Sequence, residues 1–321
     1  MKRRAFIALL AGATAAWPLP LSAQQGERVR RIGVLLPLPP GILAGFFDEL
    51  GRLGFAEGRN LTVDRRGFST PYEQYPAIAA DLAAAKVDAI LCAGEAAIRA
   101  AQAATQTIPI LAVTDDMVGA GVVASLARPG GSTTGISILA GDLDGKRQEL
   151  LLDLIPGARR LAALSDAHTN TPGQLQALQD GARTRGIELS IHAVQRPQDI
   201  APAIEAARAA GAAALNVLAS PFLHDNAPTI IARTAALRRP AVYQWPDLAE
   251  QGGLVGYGPR FAEIFRQWAR QLAKVLAGTA PADLPVEQPT KFELVINLKA
   301  AQALGLEIPP KLLVRADHVI E

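Results

Sequence analysis

The sequence predicts an α/β protein of two lobes, each a parallel sheet flanked by helices, joined by a three-segment hinge. Three observations carry that prediction. Short, wholly apolar runs such as Val87-Asp88-Ala89-Ile90-Leu91-Cys92-Ala93, broken by a single acid, read as strands buried on both faces. They alternate with amphipathic stretches of helical length, the pattern of right-handed crossovers in a parallel sheet. A strand and a helix then appear after a long helix that would already have completed a second lobe.

Taken in order, RRIGVLLPL is an apolar run ended by proline, hence a strand. GILAGFFDELGRLGF repeats apolar residues at helical spacing, with Phe46, Leu50 and Leu53 on one stripe and Gly54 as the stop. NLTVDRR reads as a strand, YEQYPAIAADLAAA as a helix, VDAILCA as a strand, EAAIRAAQAATQ as a helix and IPILAVT as a strand. VGAGVVASL and the turn ARPGGSTTG follow, and the pattern starts afresh. Helix KRQELLLDLI, strand RRLAALS, helix TPGQLQALQDGARTR, strand ELSIHAV, helix DIAPAIEAARAA, strand AALNVLA, helix PTIIARTAALR and strands PAVYQW and GLVGYG make a second sheet of the same kind.

The helix FAEIFRQWARQLAKVLAG and the stretch PTKFELVINLKAAQALGLEIPP come last. A single linker between lobes leaves this ending surplus. Three crossings, near 138, 258 and 288, account for it. The long helix returns to the first lobe, and FELVIN adds a strand to the second, with Asn297 placed to cap the next helix and Gly305 to end it. The lobes are then 27–138 plus 259–288, and 139–258 plus 289–321. Lobes joined this way share one soft bending mode and can close over something.

Residues 1–23 have the outline of a cleavable secretory signal peptide: Lys2, Arg3 and Arg4, an apolar run from Ala5 to Ala16, and a proline-containing stretch ending at Ala23. The run is short of the ~20 residues a spanning helix needs. Arg3-Arg4-Ala5-Phe6-Ile7 also resembles a twin-arginine signal, with Lys2 where such signals prefer Ser or Thr. No cysteine lies near Ala23, which argues against a lipid anchor. Removing the three basic residues takes the formal charge from +2 to −1. A near-neutral chain of that kind gives no electrostatic reason to expect nucleic acid as a partner, since phosphates call for a dense basic patch.

Other chemistry lacks support. Cys92, the only cysteine, sits in an apolar run and reads as a buried small hydrophobe. His168, His192, His224 and His318 are widely separated, so no zinc spacing exists. Gly119-Ala120-Gly121-Val122-Val123-Ala124 matches a dinucleotide fingerprint but follows the fourth strand, not the first. The loop after the first strand, Pro37-Leu38-Pro39-Pro40-Gly41, lacks the backbone donors of a phosphate cradle. With no Gly-x-Ser-x-Gly elbow, the sequence speaks for a binding protein with no cofactor and no metal, and not for an enzyme; a hydrolase is the weaker alternative.

RRIGVL, Gly58-Arg59-Asn60-Leu61, Thr107-Ile108-Pro109-Ile110, VGAG, SLARPGG, GGLVGYGP and ADLPVEQPTKFELVINLKAAQALGLEIPP give the chain a close resemblance to the ABC-transporter substrate-binding proteins of the tryptophan and tyrosine type. The resemblance implies two Rossmann-like lobes of the type I periplasmic-binding-protein fold. It implies a periplasmic, monomeric receptor that traps a small organic ligand, an amino acid, aromatic or amine-bearing compound, and delivers it to an inner-membrane ABC permease with its ATPase. A ligand-sensing receptor for a signalling system would read the same.

Ligands of open α/β sheets sit beyond the C-terminal ends of the strands. The candidate binding residues are therefore Leu36, Pro37, Gly94, Glu95, Ala96, Asp115, Asp116, Ser165, Asp166, Ser220, Phe222, Trp245 and Tyr257. Where relatives carry Gly-Thr-Pro-Ala, this chain has Gly94-Glu95-Ala96-Ala97, and where they carry Asp-Pro-Val it has Asp115-Asp116-Met117-Val118. Glu95, Asp115 and Asp116 would form an acidic mouth suited to an amine; alternatively Glu95 only complements its helix dipole and faces solvent. Trp245, Tyr257 and Phe222 would clamp a flat ligand or pack in the core or hinge. Tyr72 and Tyr75 read as packing or helix-surface residues, and His168 as a solvated turn residue.

Overall fold

The computed structural model describes residues 28–37 and 40–321; the export segment read over residues 1–23 lies outside them. The first sheet contains β1 (Arg30–Leu36), β2 (Leu61–Phe68), β3 (Ala89–Ala93), β4 (Ile110–Thr114) and β5 (Thr133–Ser137), in the order β2-β1-β3-β4-β5. Every pair is parallel. Helices α1 (Ala44–Arg52), α2 (Tyr75–Ala84) and α3 (Glu95–Ala104) make the crossovers.

Strand β5 lies in a stretch whose glycines read as a turn. It is buried throughout and pairs with β4 along its length. Gly135 permits this, because a Cβ there would stand 1.8 Å from the carbonyl oxygen of Ala112. Backbone approach, not a turn, is what this glycine serves.

The second sheet is built from α4 (Ala140–Leu154), β6 (Arg160–Asp166), α5 (Pro172–Arg183), β7 (Glu188–Val194), α6 (Pro197–Ala209), β8 (Leu215–Val217), α7 (Pro221–Asp225), α8 (Ala227–Ala236), β9 (Ala241–Tyr243), α9 (Pro246–Glu250) and β10 (Val255–Gly258). The chain then forms α10 (Phe261–Leu276), which packs on α1 and across β3, β4 and β5 of the first sheet. Fully buried Trp268 anchors it, with its ring 5.3 Å from that of Phe46.

The chain comes back as β11 (Glu293–Asn297), α11 (Leu298–Leu304), α12 (Pro310–Arg315) and β12 (His318–Ile320), giving the order β12-β11-β10-β9-β8-β6-β7. β11 runs antiparallel to β10, and β12 runs with β11. The reversal follows from the route: β10 ends at Gly258 and its register partner Glu293 begins β11, so the returning chain enters the sheet at the end where β10 left it. Asn297 accepts the Ala300 N–H at 3.0 Å, and Gly305, at φ +69°, ends the helix in the left-handed region.

The three stretches that run between the sheets lie side by side. Ser137 N–H donates to Glu287 O and Glu287 N–H to Gly135 O, both at 2.9 Å. Arg260 spans Glu250 and Glu293 at 2.5 and 2.6 Å. One apolar core cluster runs from Ile32 and Leu111 of the first sheet through Ile138, Trp245, Ile264 and Phe265 to Leu164 and Val217 of the second.

Beneath the facing ends of the sheets lies a buried charge pair. Arg147 of α4 is fully enclosed and donates to Asp144 Oδ1 at 2.6 Å, to Tyr257 O at 2.9 Å and to Gln244 O at 3.1 Å. Asn216 Nδ2 donates to Asp144 O at 3.1 Å, and Gln174 Nε2 to Asp144 Oδ2 at 3.2 Å. Burial pushes the Asp144 carboxyl up to about 7, against the pull of Arg147 and with Asp115 adding to the rise. A carboxyl raised above its unfolded value of 3.8 holds its proton more tightly in the native chain. The carboxylate therefore favours the unfolded chain increasingly as pH climbs toward 7. Arg147→Met removes the balancing cation and is expected to cost about 3–5 kcal/mol at pH 8, and less at pH 5 where Asp144 takes up a proton. Urea denaturation at the two pH values measures both.

Candidate functional site

The C-terminal ends of β3 and β4 face those of β6, β8 and β9 across a cleft. A cavity of about 500 Å³ opens there, within the range of small-molecule sites. One side carries Glu95, Thr114, Asp115 and Asp116; the other carries Asp142, Gln148, Thr169, Thr171 and Gln174. A smaller chamber of about 50 Å³ adjoins it, walled by Ile138, Trp245, Phe261, Ile264 and Phe265. Thr114, Asp115 and Thr169 line both spaces.

Each acid at the cleft is positioned by the backbone around it. Gly94, at φ +83°, turns the chain from β3 into α3 and sets Glu95 in the first helical turn. Glu95 Oε1 accepts from Arg99 Nε at 2.6 Å, and Arg99 also donates to Ala120 O at 2.5 Å. Asp115 accepts the Gly141 N–H through both carboxylate oxygens at 3.1 Å, so a residue after β4 caps the helix that opens the other sheet's chain. Asp116 Oδ1 accepts the N–H groups of Val118 and Gly119 at 3.1 and 2.8 Å. Glu95, Asp115 and Asp116 stand together on one cavity wall, and Glu95 is at once paired within its own helix and present at the cleft.

The other expected residues divide. Gly94, Ser220 and Trp245 line the small chamber. Leu36, Pro37, Ala96, Ser165, Asp166, Phe222 and Tyr257 line neither space. Leu36 follows Ile32 and Val34 onto one covered face of the first sheet, so the strand's alternation takes it into the core. Pro37 is half-buried at the strand end and Ala96 sits exposed on α3. Ser165 and Asp166 are fully enclosed. The Asp166 carboxylate organises its own turn, accepting from His168 N–H at 2.9 Å and Thr169 Oγ1 at 2.7 Å. Phe222 packs against the main apolar core, and Tyr257 against the core of the second sheet. Trp245 is only 3% exposed, a wall of the chamber rather than an open clamp. Cys92 is fully buried and free.

Other residues at or beside the cleft were not expected there from the sequence. Tyr72 lies with its ring 5.3 Å from that of His168, a contact between the two lobes. Burial raises the Tyr72 hydroxyl well above its ordinary value, with Asp166 and Asp225 adding to the effect. Gln148 is 2% exposed, lines the large cavity, and has an Oε1 without a hydrogen-bond partner among the described residues. Phe261 and Phe265 reach the chamber from α10, far along the chain. His224 stacks on Phe261 at 4.3 Å and 7°, while Trp245 meets the same ring edge-on at 5.0 Å. No group of acids, histidines and cysteines able to hold a metal occurs among the described residues. None of the described helices is long and apolar enough to cross a membrane.

Two α/β lobes with strand ends facing across a cavity define a two-lobed binding protein. The sequence profile of the family described as ABC transporter substrate binding protein matches residues 40–320, and the chain belongs to that family. It is similar to the tyrosine-binding protein of Clostridioides difficile (strain R20291), 26% identical over 269 residues, 82% of this chain and 76% of that protein. Its fold superposes on the ABC domain in complex with L-Trp from Streptococcus pneumonia with a TM-score of 0.80 at 25% identity, covering 91% of this chain and all of that one. A conserved domain protein from Vibrio cholerae gives a TM-score of 0.83 at 24% identity, with the same coverage of both chains. The fold is that of the type I periplasmic binding proteins, and the family is one of binding proteins, not enzymes.

Two measurements test this reading of the aromatic cluster. Burial lowers the His224 imidazole to about 4. The unfolded chain, near 6.5, therefore binds the extra proton between those values, and stability is lost as pH falls through that window. His224→Phe keeps the stacking and is expected to remove up to about 3 kcal/mol of that acid-side loss, read from denaturation at pH 4.5 and 7. Trp245→Ala, in a core wall, is expected to lower stability by about 3–5 kcal/mol at neutral pH.

Proposed function

We propose that the chain is the ligand-capturing component of an ABC importer. In this reading residues 1–23 direct export and are removed, and the mature protein works in the periplasm. It holds a small organic molecule between its lobes and hands it to an inner-membrane permease driven by its ATPase. The observation that carries the reading is the cavity of about 500 Å³ between the strand ends of two separate sheets, with walls from both. The relatives' names add tyrosine and L-Trp, compounds with an ammonium group and an aromatic body. This cleft offers carboxylates at Glu95, Asp115 and Asp116 to an ammonium group, and beside them the mouth of the apolar chamber walled by Ile138, Trp245, Phe261 and Phe265.

The three adjacent crossing stretches form the hinge in this proposal, with lobes of 27–138 plus 259–288 and 139–258 plus 289–321. Opening separates the Tyr72 and His168 rings, now 5.3 Å apart, and uncovers the cavity. A ligand that bridges the lobes favours the closed arrangement by its differential contacts. Solution scattering is expected to show a smaller radius of gyration when a ligand found by thermal shift is added. At 100 times its dissociation constant such a ligand adds about 2.7 kcal/mol of stability. An unchanged radius in the presence of a stabilising ligand would contradict the hinge.

A further inference from the structure

We propose that Gln148 is a specificity-determining residue of the cleft: its side-chain amide donates to the carboxylate of an amino acid lying along the glycine face of α4. The inference rests on the capture reading above and concerns which side chain reads the ligand's acid group.

The side chain itself is the first support. Gln148 is 2% exposed and lines the large cavity. Its Oε1 is sealed off, which leaves Nε2 as the end of the amide that reaches the cavity, and neither atom has a hydrogen-bond partner among the described residues. A buried N–H donor without an acceptor is costly, so a ligand oxygen placed against it is favoured over a ligand that has none there. The position is held from behind: Arg147, the preceding residue, ties α4 to the carbonyls of Tyr257 and Gln244.

The helix face beside Gln148 is bare. Gly141, Gly145 and Gln148 follow one another at helical spacing, and all three line the cavity. Gly141 has a packing reason, because a Cβ there would stand 2.9 Å from Gln174 Nε2 and 3.2 Å from Asp115 Oδ2. Gly145 has none: a Cβ there would meet nothing within 4 Å beyond the backbone of its own helix. Glycine inside a helix is unfavourable against alanine, and what it provides here is free space one turn from the amide. Residues three apart on a helix are neighbours, so a ligand in that space meets Gln148.

The walls decide which end of the ligand meets the amide. Glu95, Asp115 and Asp116 stand on the first lobe's wall and draw the ammonium. The carboxylate then turns to the second lobe's wall, where the other donors are in use. Gln174 Nε2 donates to Asp144 Oδ2 at 3.2 Å, Thr169 Oγ1 to Asp166 Oδ2 at 2.7 Å, and Arg185 to Glu149 and, at 3.0 Å, to Gly181 O. Thr171 is exposed and caps α5 through the Gln174 N–H. Asp142, the acid on this wall, is also exposed and lies about 9 Å from Gln148 along the helix.

The test is isothermal titration of the full mature chain with L-tyrosine, L-tryptophan and their decarboxylated counterparts, tyramine and tryptamine. Each amino acid is expected to bind the unsubstituted protein about tenfold more tightly than its amine, or better. Gln148→Leu, which keeps the bulk and removes the donor, is expected to lower amino-acid affinity about tenfold and to erase the preference over the amine. Gln148→Glu puts an acceptor in the donor's place and is expected to lower it further. Gly145→Leu fills the bare face and is expected to abolish binding of all four compounds, while its melting temperature stays at or above that of the unsubstituted protein. An amino-acid preference that survives both Gln148 substitutions, or full binding by Gly145→Leu, overturns the proposal and leaves ligand capture standing. Failure of all four probes to bind at millimolar concentration overturns it too, while capture is then judged separately by the thermal-shift search for a stabilising ligand.

Discussion

The buried Arg147–Asp144 pair is the constraint on which the cleft depends. α4 is the first element after the chain leaves the first sheet, and through one guanidinium it is fastened to the carbonyls that close β9 and β10. Asn216 adds a tie from β8 to the backbone of Asp144. A charge with no exposure is tolerable only where its donors are satisfied, so the geometry of strand ends and helix is held to a narrow set. The cavity wall formed by Gln148 and Gln174 is the outer surface of that anchored unit.

From the anchor outward, the site divides into surfaces of different character. The acidic wall belongs to the loops after β3 and β4, whose carboxylates serve local turns and helix starts as well as the cavity. The apolar chamber takes Phe261, Ile264 and Phe265 from α10, which packs on the first sheet yet presents Phe261 to Trp245. The cluster thus forms a continuous apolar seam beside the crossing stretches. In the proposed motion, such a seam would keep the lobes in register while the far edge of the cleft opens.

The route of the chain explains the shape of this arrangement. Because the returning segment enters the second sheet where β10 leaves it, β11 has to run antiparallel, and β12 follows it. The crossing stretches then lie together, linked by the Ser137–Glu287 and Arg260–Glu293 contacts, so that all three would bend about a common line.

Local pattern in the chain was enough for much of the fold. Apolar runs, helical stripes and the Asn297 and Gly305 signals mark elements whose stability is set by burial, backbone conformation and capping, all of which neighbours in sequence report. The acids at Glu95, Asp115 and Asp116 were legible for the same reason, since a strand end followed by a helix start is a local feature. β5 was hidden because Gly135 reads as a turn until the backbone of Ala112 is known to lie against it. Tertiary structure alone decided which strand-end side chains reach the cleft. A strand's alternation sends Leu36 inward, and Asp166 is consumed by its own turn, whereas Gln148, Phe261 and Phe265 arrive from distant helices. Such placement is a property of packing between lobes, and contacts between residues far apart in the chain leave no period in a single sequence.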